Sequence, residues 1–255
     1  MFARRHLDPD RRLGLRLTAA SLLVGLVMIP FTLLAVLVKT AFPPLHLLDK
    51  GVARDLHAFA LRNPVWTDVV TFWSELFGPW PWRIVVIALA GWLIYRGAPR
   101  LATWAITTIT VGGLLALAIK IVTDRARPAF PDPVAMAPGQ SFPSGHVVNA
   151  TLGAGIVVLL LLPVLSRRGR TIAWSAAGFL VVSMAYTRIA LGVHWVSDAV
   201  AGALLGVAVI AATAVAFESW RRELGRRPAV PYAEGVEPEA EEEISTGGRA
   251  YGSRH

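Results

Sequence analysis

Cysteine is absent from the 255-residue sequence. That excludes disulfides and thiolate chemistry and leaves the redox compartment open. Charge is scarce: Asp, Glu, Lys and Arg together make up 16% of the chain. Strict alternation of apolar and polar residues is missing too, which favours helices over a barrel of strands. What the chain has instead is long apolar runs. Hydrophobic residues are 55% of it, and the mean hydropathy is +0.54. Several stretches near 20 residues carry no charge, about the length that crosses a ~30 Å bilayer core. The composition describes an all-α, polytopic membrane protein folded as one helical bundle. The net charge of +8 is not read as a nucleic-acid signal, because the basic residues cluster beside the apolar runs, where they set membrane orientation.

Six spans are expected. The first lies between Arg16 and Lys39, with 22 uncharged residues after a basic start at Arg4, Arg5, Arg11 and Arg12. A signal peptide also starts this way, but its apolar region is shorter and ends at a small-residue cleavage site, so this run is read as a retained span. The second covers roughly 75–95, led by an interfacial helix over 65–76 and preceded by the Trp-rich "FWSELFGPWPWR". The others lie between Arg100 and Lys120, and over Val147–Ser166, Thr171–Thr187 and Ala199–Phe217. Four regions hold more than half of the 25 Lys and Arg: the N-terminus, "YRGAPR", "SRRGR" and "WRRELGRR". Six spans put all four on one side, which the positive-inside rule makes cytoplasmic. Residues 1–16 are then a cytoplasmic N-terminus and 17–217 a six-span domain. Residues 218–255 form a basic, then acidic, cytoplasmic tail whose Pro, Gly and Glu content reads as disordered. Gly202 and Gly206 form a G-x-x-x-G that reads as a close helix contact.

This topology gathers three polar stretches on the outer face: "KIVTDRARP" from Lys120, "FPSGH" from Phe142, and "RIALGVHWVSD" from Arg188. Lys120, Arg127 and Arg188 are cations where the positive-inside rule does not ask for them, and ionisable residues at membrane depth point to function. Three converging cations call for an anion, and the planar fork of Arg suits a tetrahedral oxyanion. Ser144 adds a hydroxyl and Gly145 a backbone N–H at a helix start, which favours anions. His194 and Asp198 are four apart and share a helical face. A carboxylate on one imidazole nitrogen fixes the tautomer and leaves the other nitrogen free to attack. His146 is the candidate general acid. No metal or cofactor is expected, since phosphoryl transfer needs mainly positioning and charge.

Each stretch also has an ordinary reading. The His–Asp pair is a common local hydrogen bond. Lys120 and Arg125 are placed to snorkel to the interface. "PSGH" suits a turn and helix cap. Asp124 and Asp132 read as solvated loop charges, and the Trp residues as membrane-belt anchors. Their arrival on one face of an independently derived topology favours the functional reading.

K-x6-R-P (Lys120, Arg127, Pro128), P-S-G-H (Pro143, Ser144, Gly145, His146) and R-x5-H-x3-D (Arg188, His194, Asp198), in that order, resemble the type-2 phosphatidic acid phosphatase superfamily. The resemblance spans roughly residues 65–217; Thr187 stands where the family's third motif usually has Ser. It implies a metal-independent, multi-pass phosphatase of the cell membrane with an extracytoplasmic active site. By resemblance His194 forms a phosphohistidine, Asp198 orients it, and His146 protonates the leaving group. Lys120, Arg127, Ser144, Gly145 and Arg188 hold the phosphate. The implied substrates are lipid phosphates: phosphatidate, phosphatidylglycerophosphate or undecaprenyl diphosphate. A non-catalytic lipid or anion transporter using the same cradle is the alternative, and the related vanadate-dependent haloperoxidases are soluble, against the six spans. Membrane lipids are the other partners; oligomeric state is left open.

Overall fold

The computed structural model describes the backbone of residues 9–223 and side chains at Thr18 and from residue 21 to 217. The expectations for 1–16 and 218–255 fall outside the described side chains. Eight helices follow one another among the described residues: α1 (Pro9–Lys39), α2 (Pro43–Arg62), α3 (Pro64–Leu76), α4 (Pro79–Tyr95), α5 (Pro99–Thr123), α6 (Gly145–Leu161), α7 (Arg167–Ala190) and α8 (Val196–Glu223). No strand occurs among the described residues. Proline opens five of the eight, at the first helical position, where its missing N–H costs nothing.

The apolar runs fold as helices because a bilayer leaves no water for unpaired backbone groups. Five segments among the described residues are long and apolar enough to span: Ser21–Lys39, Pro64–Tyr95, Pro99–Thr123, Arg167–Ala190 and Val196–Phe217. Their outward faces expose large apolar side chains, such as Leu22, Leu26 and Ile29 on α1 and Leu114, Ile121 and Val122 on α5. A continuous apolar exterior of this kind suits hydrocarbon, not water. The chain is a multi-pass membrane protein.

The expected fourth span is shorter than its apolar run. α6 has 17 residues, about 25 Å, and is buried along most of its length. It packs against α4, α5, α7 and α8, so protein, not lipid, covers it. Close packing needs small residues here. A Cβ at Gly202 would stand 2.8 Å from the Ser144 carbonyl oxygen, and one at Gly206 2.6 Å from Thr151 Cβ. The G-x-x-x-G pair therefore seats α8 directly on α6, as read from sequence. The separate helix expected over 65–76 is α3, and the second span's range is filled by α4; the two part at Phe77–Gly78, ahead of Pro79, which cannot continue α3's hydrogen-bond ladder. One detail differs from expectation. Trp82 and Trp104, expected as belt anchors, are core residues, 8% and 7% exposed, whereas Trp80 is 71% exposed.

α2 has no counterpart in the six-span reading. Its buried face is Asp49, Ala53, His57 and Ala60, at helical spacing but without a large apolar residue. That face packs against α7 and α8, and it brings Asp49 to the site.

Candidate active site

The three polar stretches meet where α5 ends, α6 begins and α7 turns into α8. The turn is built by backbone bonds: Val193 and His194 N–H both donate to the Arg188 carbonyl, at 3.2 Å each. Gly192 sits at φ +66°, a conformation that favours glycine. Ser144 N–H donates to the Asp198 carbonyl at 3.0 Å, which ties the start of α6 to the first turn of α8. The separate motifs are thus locked together through main chain.

Asp198 is fully buried. Its Oδ2 faces His194 Nδ1 at 3.3 Å, accepts the Trp195 N–H at 2.9 Å and accepts the Ser141 hydroxyl. The Trp195 bond is the returning half of a capping box on α8. Its Oδ1 accepts from Arg125 Nη1 at 2.5 Å. Arg125 also reaches Asp49 Oδ2 at 2.7 Å and the Ser197 hydroxyl at 2.6 Å. Asp49 in turn accepts from Ser197 N–H at 3.0 Å and from its hydroxyl at 2.6 Å. Arg125 is therefore a buried bridge between two carboxylates, its side chain 12% exposed. The snorkelling reading of Arg125 is wrong, because two buried anions hold it inward.

On the other edge of the ring, Arg127 Nη1 lies 3.0 Å from His194 Nε2. Arginine only donates, so Nε2 is the acceptor and Nδ1 carries the proton toward Asp198. Burial pushes the His194 pKa down to about 4, against the pull of Asp198 and with help from Arg127 and Arg188. The ring is neutral at physiological pH, with its Nε2 lone pair on the cation side. Arg127 also donates to the carbonyls of Pro138, Gly139, Gln140 and Val193, so it fastens the 124–144 loop over the site.

The remaining predicted phosphate ligands are under-used within the protein. Lys120 Nζ donates to the Gln140 carbonyl at 2.6 Å, and Arg188 Nη1 to the Ser74 hydroxyl at 2.8 Å. Arg188 Nε and Ser144 Oγ are buried without a hydrogen-bond partner. Ser144 is the N-cap of α6, yet its hydroxyl caps nothing. Buried donors left over in this way are rare in native proteins, and here they lie beside a helix N-terminus, whose N–H groups attract anions. His146 sits on the first turn of α6, and a Cβ on Gly78 would stand 3.6 Å from its ring. Electrostatic coupling links His146 with Lys120, Arg127, Arg188 and His194. All eight predicted site residues are thus brought together. Thr187 spends its hydroxyl on the Met184 carbonyl, 2.8 Å away within α7. Asp124 and Asp132 are exposed, as expected. No group of three or more His, Cys, Asp or Glu arranged to hold a metal occurs among the described residues.

Sequence reasoning missed Asp49, Ser74, Arg125 and Ser141. Arg125 had a signal: like Arg127, it is a cation on the side where the positive-inside rule asks for none. Asp49 had only its place on a helical face of small residues.

Lipid-facing helices enclosing a buried His–Asp pair and three cations define a membrane protein built to handle a phosphate group. Comparison with known proteins agrees. The model of the PAP2 superfamily matches residues 101–222, a stretch that holds all three motifs. The chain is 32% identical over 158 residues to phosphatidylglycerophosphatase B of Bacillus subtilis (strain 168), covering 59% of this chain and 74% of that protein. It is 35% identical over 127 residues to decaprenylphosphoryl-5-phosphoribose phosphatase of Mycolicibacterium smegmatis, covering 44% and 63%. Its fold matches the crystal structure of a transmembrane PAP2-type phosphatidylglycerolphosphate phosphatase from Bacillus subtilis. The TM-score is 0.67 and the identity 24%, over 80% of this chain and 98% of the other. The chain belongs to the PAP2 superfamily and is a membrane phosphatase of the PAP2 type.

Proposed function

We propose that the protein hydrolyses the phosphate esters of membrane lipids at the extracytoplasmic surface, without a metal, through a phosphohistidine on His194. One observation carries this reading. The Nε2 lone pair of a neutral, carboxylate-held His194 faces a cluster of cations whose neighbouring donors have no protein partner. Lys120, Arg127, Ser144, Arg188 and the Gly145 N–H hold the phosphate oxygens. The Arg127 N–H that meets Nε2 turns to the bound phosphate and uncovers the nucleophile. Nε2 then attacks phosphorus, the bond from phosphorus to the lipid oxygen breaks, and His146 protonates the departing alkoxide. Asp198 stabilises the cation that develops on His194. In the second step His146 takes a proton from water, the hydroxyl attacks phosphorus, the N–P bond breaks, and inorganic phosphate leaves. The cations stabilise charge in both steps.

Six membrane crossings, with α3 and α4 together forming the second and α6 the fourth, keep the termini cytoplasmic. Arg96, Arg100, Arg167, Arg168 and Arg170 lie at the helix ends away from the site. Such an excess marks the cytoplasmic side and supports an outward-facing site. The names of both curated relatives describe lipids with two phosphates separated by a hydroxylated unit, glycerol in one and ribose in the other. A lipid of that kind is the favoured substrate here, ahead of a polyprenyl diphosphate.

The test is phosphate release by detergent-purified protein from phosphatidylglycerophosphate, phosphatidate and undecaprenyl diphosphate, with and without EDTA. Activity that survives EDTA and disappears in His194→Ala supports the reading. Activity that survives His194→Ala, or that EDTA abolishes, overturns it.

A further inference from the structure

A cavity of about 540 Å³ opens from the site between α4, α5 and α6. Its order along α5 is informative. Lys120 stands at the upper end, followed by Leu117, Gly113, Thr110 and Ile106. That is 14 residue steps, or ~20 Å of helix. Gly145 and Asn149 of α6 close the upper end, and Arg83 and Ile87 of α4 follow downward. Ile87, Leu114 and Leu117 are more than half exposed, so the lower part opens sideways toward lipid.

Two polar groups in this cavity are unused. Asn149 is 4% exposed; its Nδ2 donates to the Gly145 carbonyl at 2.8 Å, while its Oδ1 has no partner. Because the amide nitrogen is committed, the free atom is an acceptor, and it calls for a hydroxyl or other donor. Arg83 is half-buried and stands over the Trp80 ring at 5.2 Å. No hydrogen bond or carboxylate partner of Arg83 occurs among the described residues. A Cβ at Gly113 would lie 4.0 Å from Arg83 Nη2, which puts the guanidinium ~10 Å along α5 from Lys120. A cation at this depth, beside apolar walls, is costly unless an anion joins it.

From Lys120 at the edge of the cradle downward, the cavity thus offers one hydroxyl acceptor, one further cation, and then hydrocarbon-lined walls. We propose that Asn149 and Arg83 form a second subsite, which takes the linker hydroxyl and the diester phosphate of a lipid whose terminal phosphate lies in the cradle. The lower groove then takes its hydrocarbon chain. The subsite selects lipids with two phosphates joined by a short polyol over lipids with one phosphate. It rests on the proposed function and adds the residues that choose the substrate.

The test compares kcat/KM on phosphatidylglycerophosphate and phosphatidate with matched acyl chains. Arg83→Ala lowers the value on phosphatidylglycerophosphate by about tenfold or more, mainly through KM, as the loss of a charge-assisted contact requires. On phosphatidate the loss stays within about threefold, since only the general field of the cation is removed. Arg83→Lys recovers part of the discrimination. Asn149→Ala costs roughly fivefold on the two-phosphate lipid. Arg83→Gln, which keeps the stem, replaces an Ala variant that fails to fold. Equal losses on both lipids, or none on either, overturn the subsite while leaving lipid hydrolysis intact; the second result would make Arg83 an interfacial cation only. A wild-type protein that releases phosphate from neither of these lipids but does so from undecaprenyl diphosphate overturns the subsite alone; release from none of the three refutes the proposed function itself, and the subsite with it.

Discussion

The two edges of the His194 ring are built differently. On the Nδ1 side every polar partner is committed: Asp198 is met by His194, Trp195, Ser141 and Arg125, and Arg125 by Asp49 and Ser197. On the Nε2 side donors are left over, at Ser144 Oγ and Arg188 Nε. The first side is complete without a ligand and holds the ring in one place and one tautomer. The second is incomplete by itself, and a tetrahedral anion would complete it. A fixed nucleophile beside an unsatisfied cradle is the arrangement phosphoryl transfer uses, because positioning and charge supply most of the rate.

This contrast can be broken one residue at a time. The largest effect falls on the nucleophile: His194→Ala should lower kcat by at least about 10⁴-fold in a phosphate-release assay. Next comes Asp198→Asn, which disturbs the tautomer; a loss of about 10³–10⁴ in kcat with KM little changed is expected from the behaviour of comparable dyads. Asp49→Ala acts further out. It leaves Arg125 and Ser197 partly unpaired in a buried place, a change that costs about 3–5 kcal/mol. The measurement is thermal unfolding in detergent, and the melting temperature should fall well below that of the wild type. The cradle should answer the other way. Ser144→Ala removes a hydroxyl with no partner, so the melting temperature should hold or rise while kcat/KM drops about 10–100-fold. A Ser144→Ala protein as unstable as Asp49→Ala would erase the distinction between the two sides.

The smallest effect is a pH dependence. The folded-state pKa of His194 is lowered to about 4, whereas an unperturbed histidine titrates near ~6.5. Between these values the unfolded chain binds the extra proton and the folded protein does not. Stability is therefore lost as pH falls from about 6.5 toward 4, by this group's share. An NMR titration of His194 in the substrate-free protein should give a midpoint well below 6.5. Removing the attraction of Asp198 should lower it further in Asp198→Asn.

The sequence carried the Nε2 side almost whole and the Nδ1 side only in part. Lys120, Arg127, Ser144, Gly145, His146, Arg188, His194 and Asp198 were legible because their charge is out of place beside long apolar runs and their spacing is helical. The outer partners of Asp198 were not. Asp49 lies 76 residues from Arg125 and 148 from Ser197, and the helix that carries it buries small and polar residues, so no apolar period announces it. Ser141 belongs to a loop whose shape is set by Arg127 binding four carbonyls, an arrangement that local spacing does not encode. The helices were legible wherever lipid touches them. α6 is clad in protein and does not have to match the bilayer, which is why its apolar run overstated its length.

The central claim is that phosphate passes through His194. It is tested most directly by quenching turnover of lipid labelled with ³²P in its terminal phosphate and analysing the denatured protein. The account predicts acid-labile, base-stable label on His194 that appears within one turnover and is absent from His194→Ala. Full turnover by the wild type with no label on His194, or label on another residue, would contradict it.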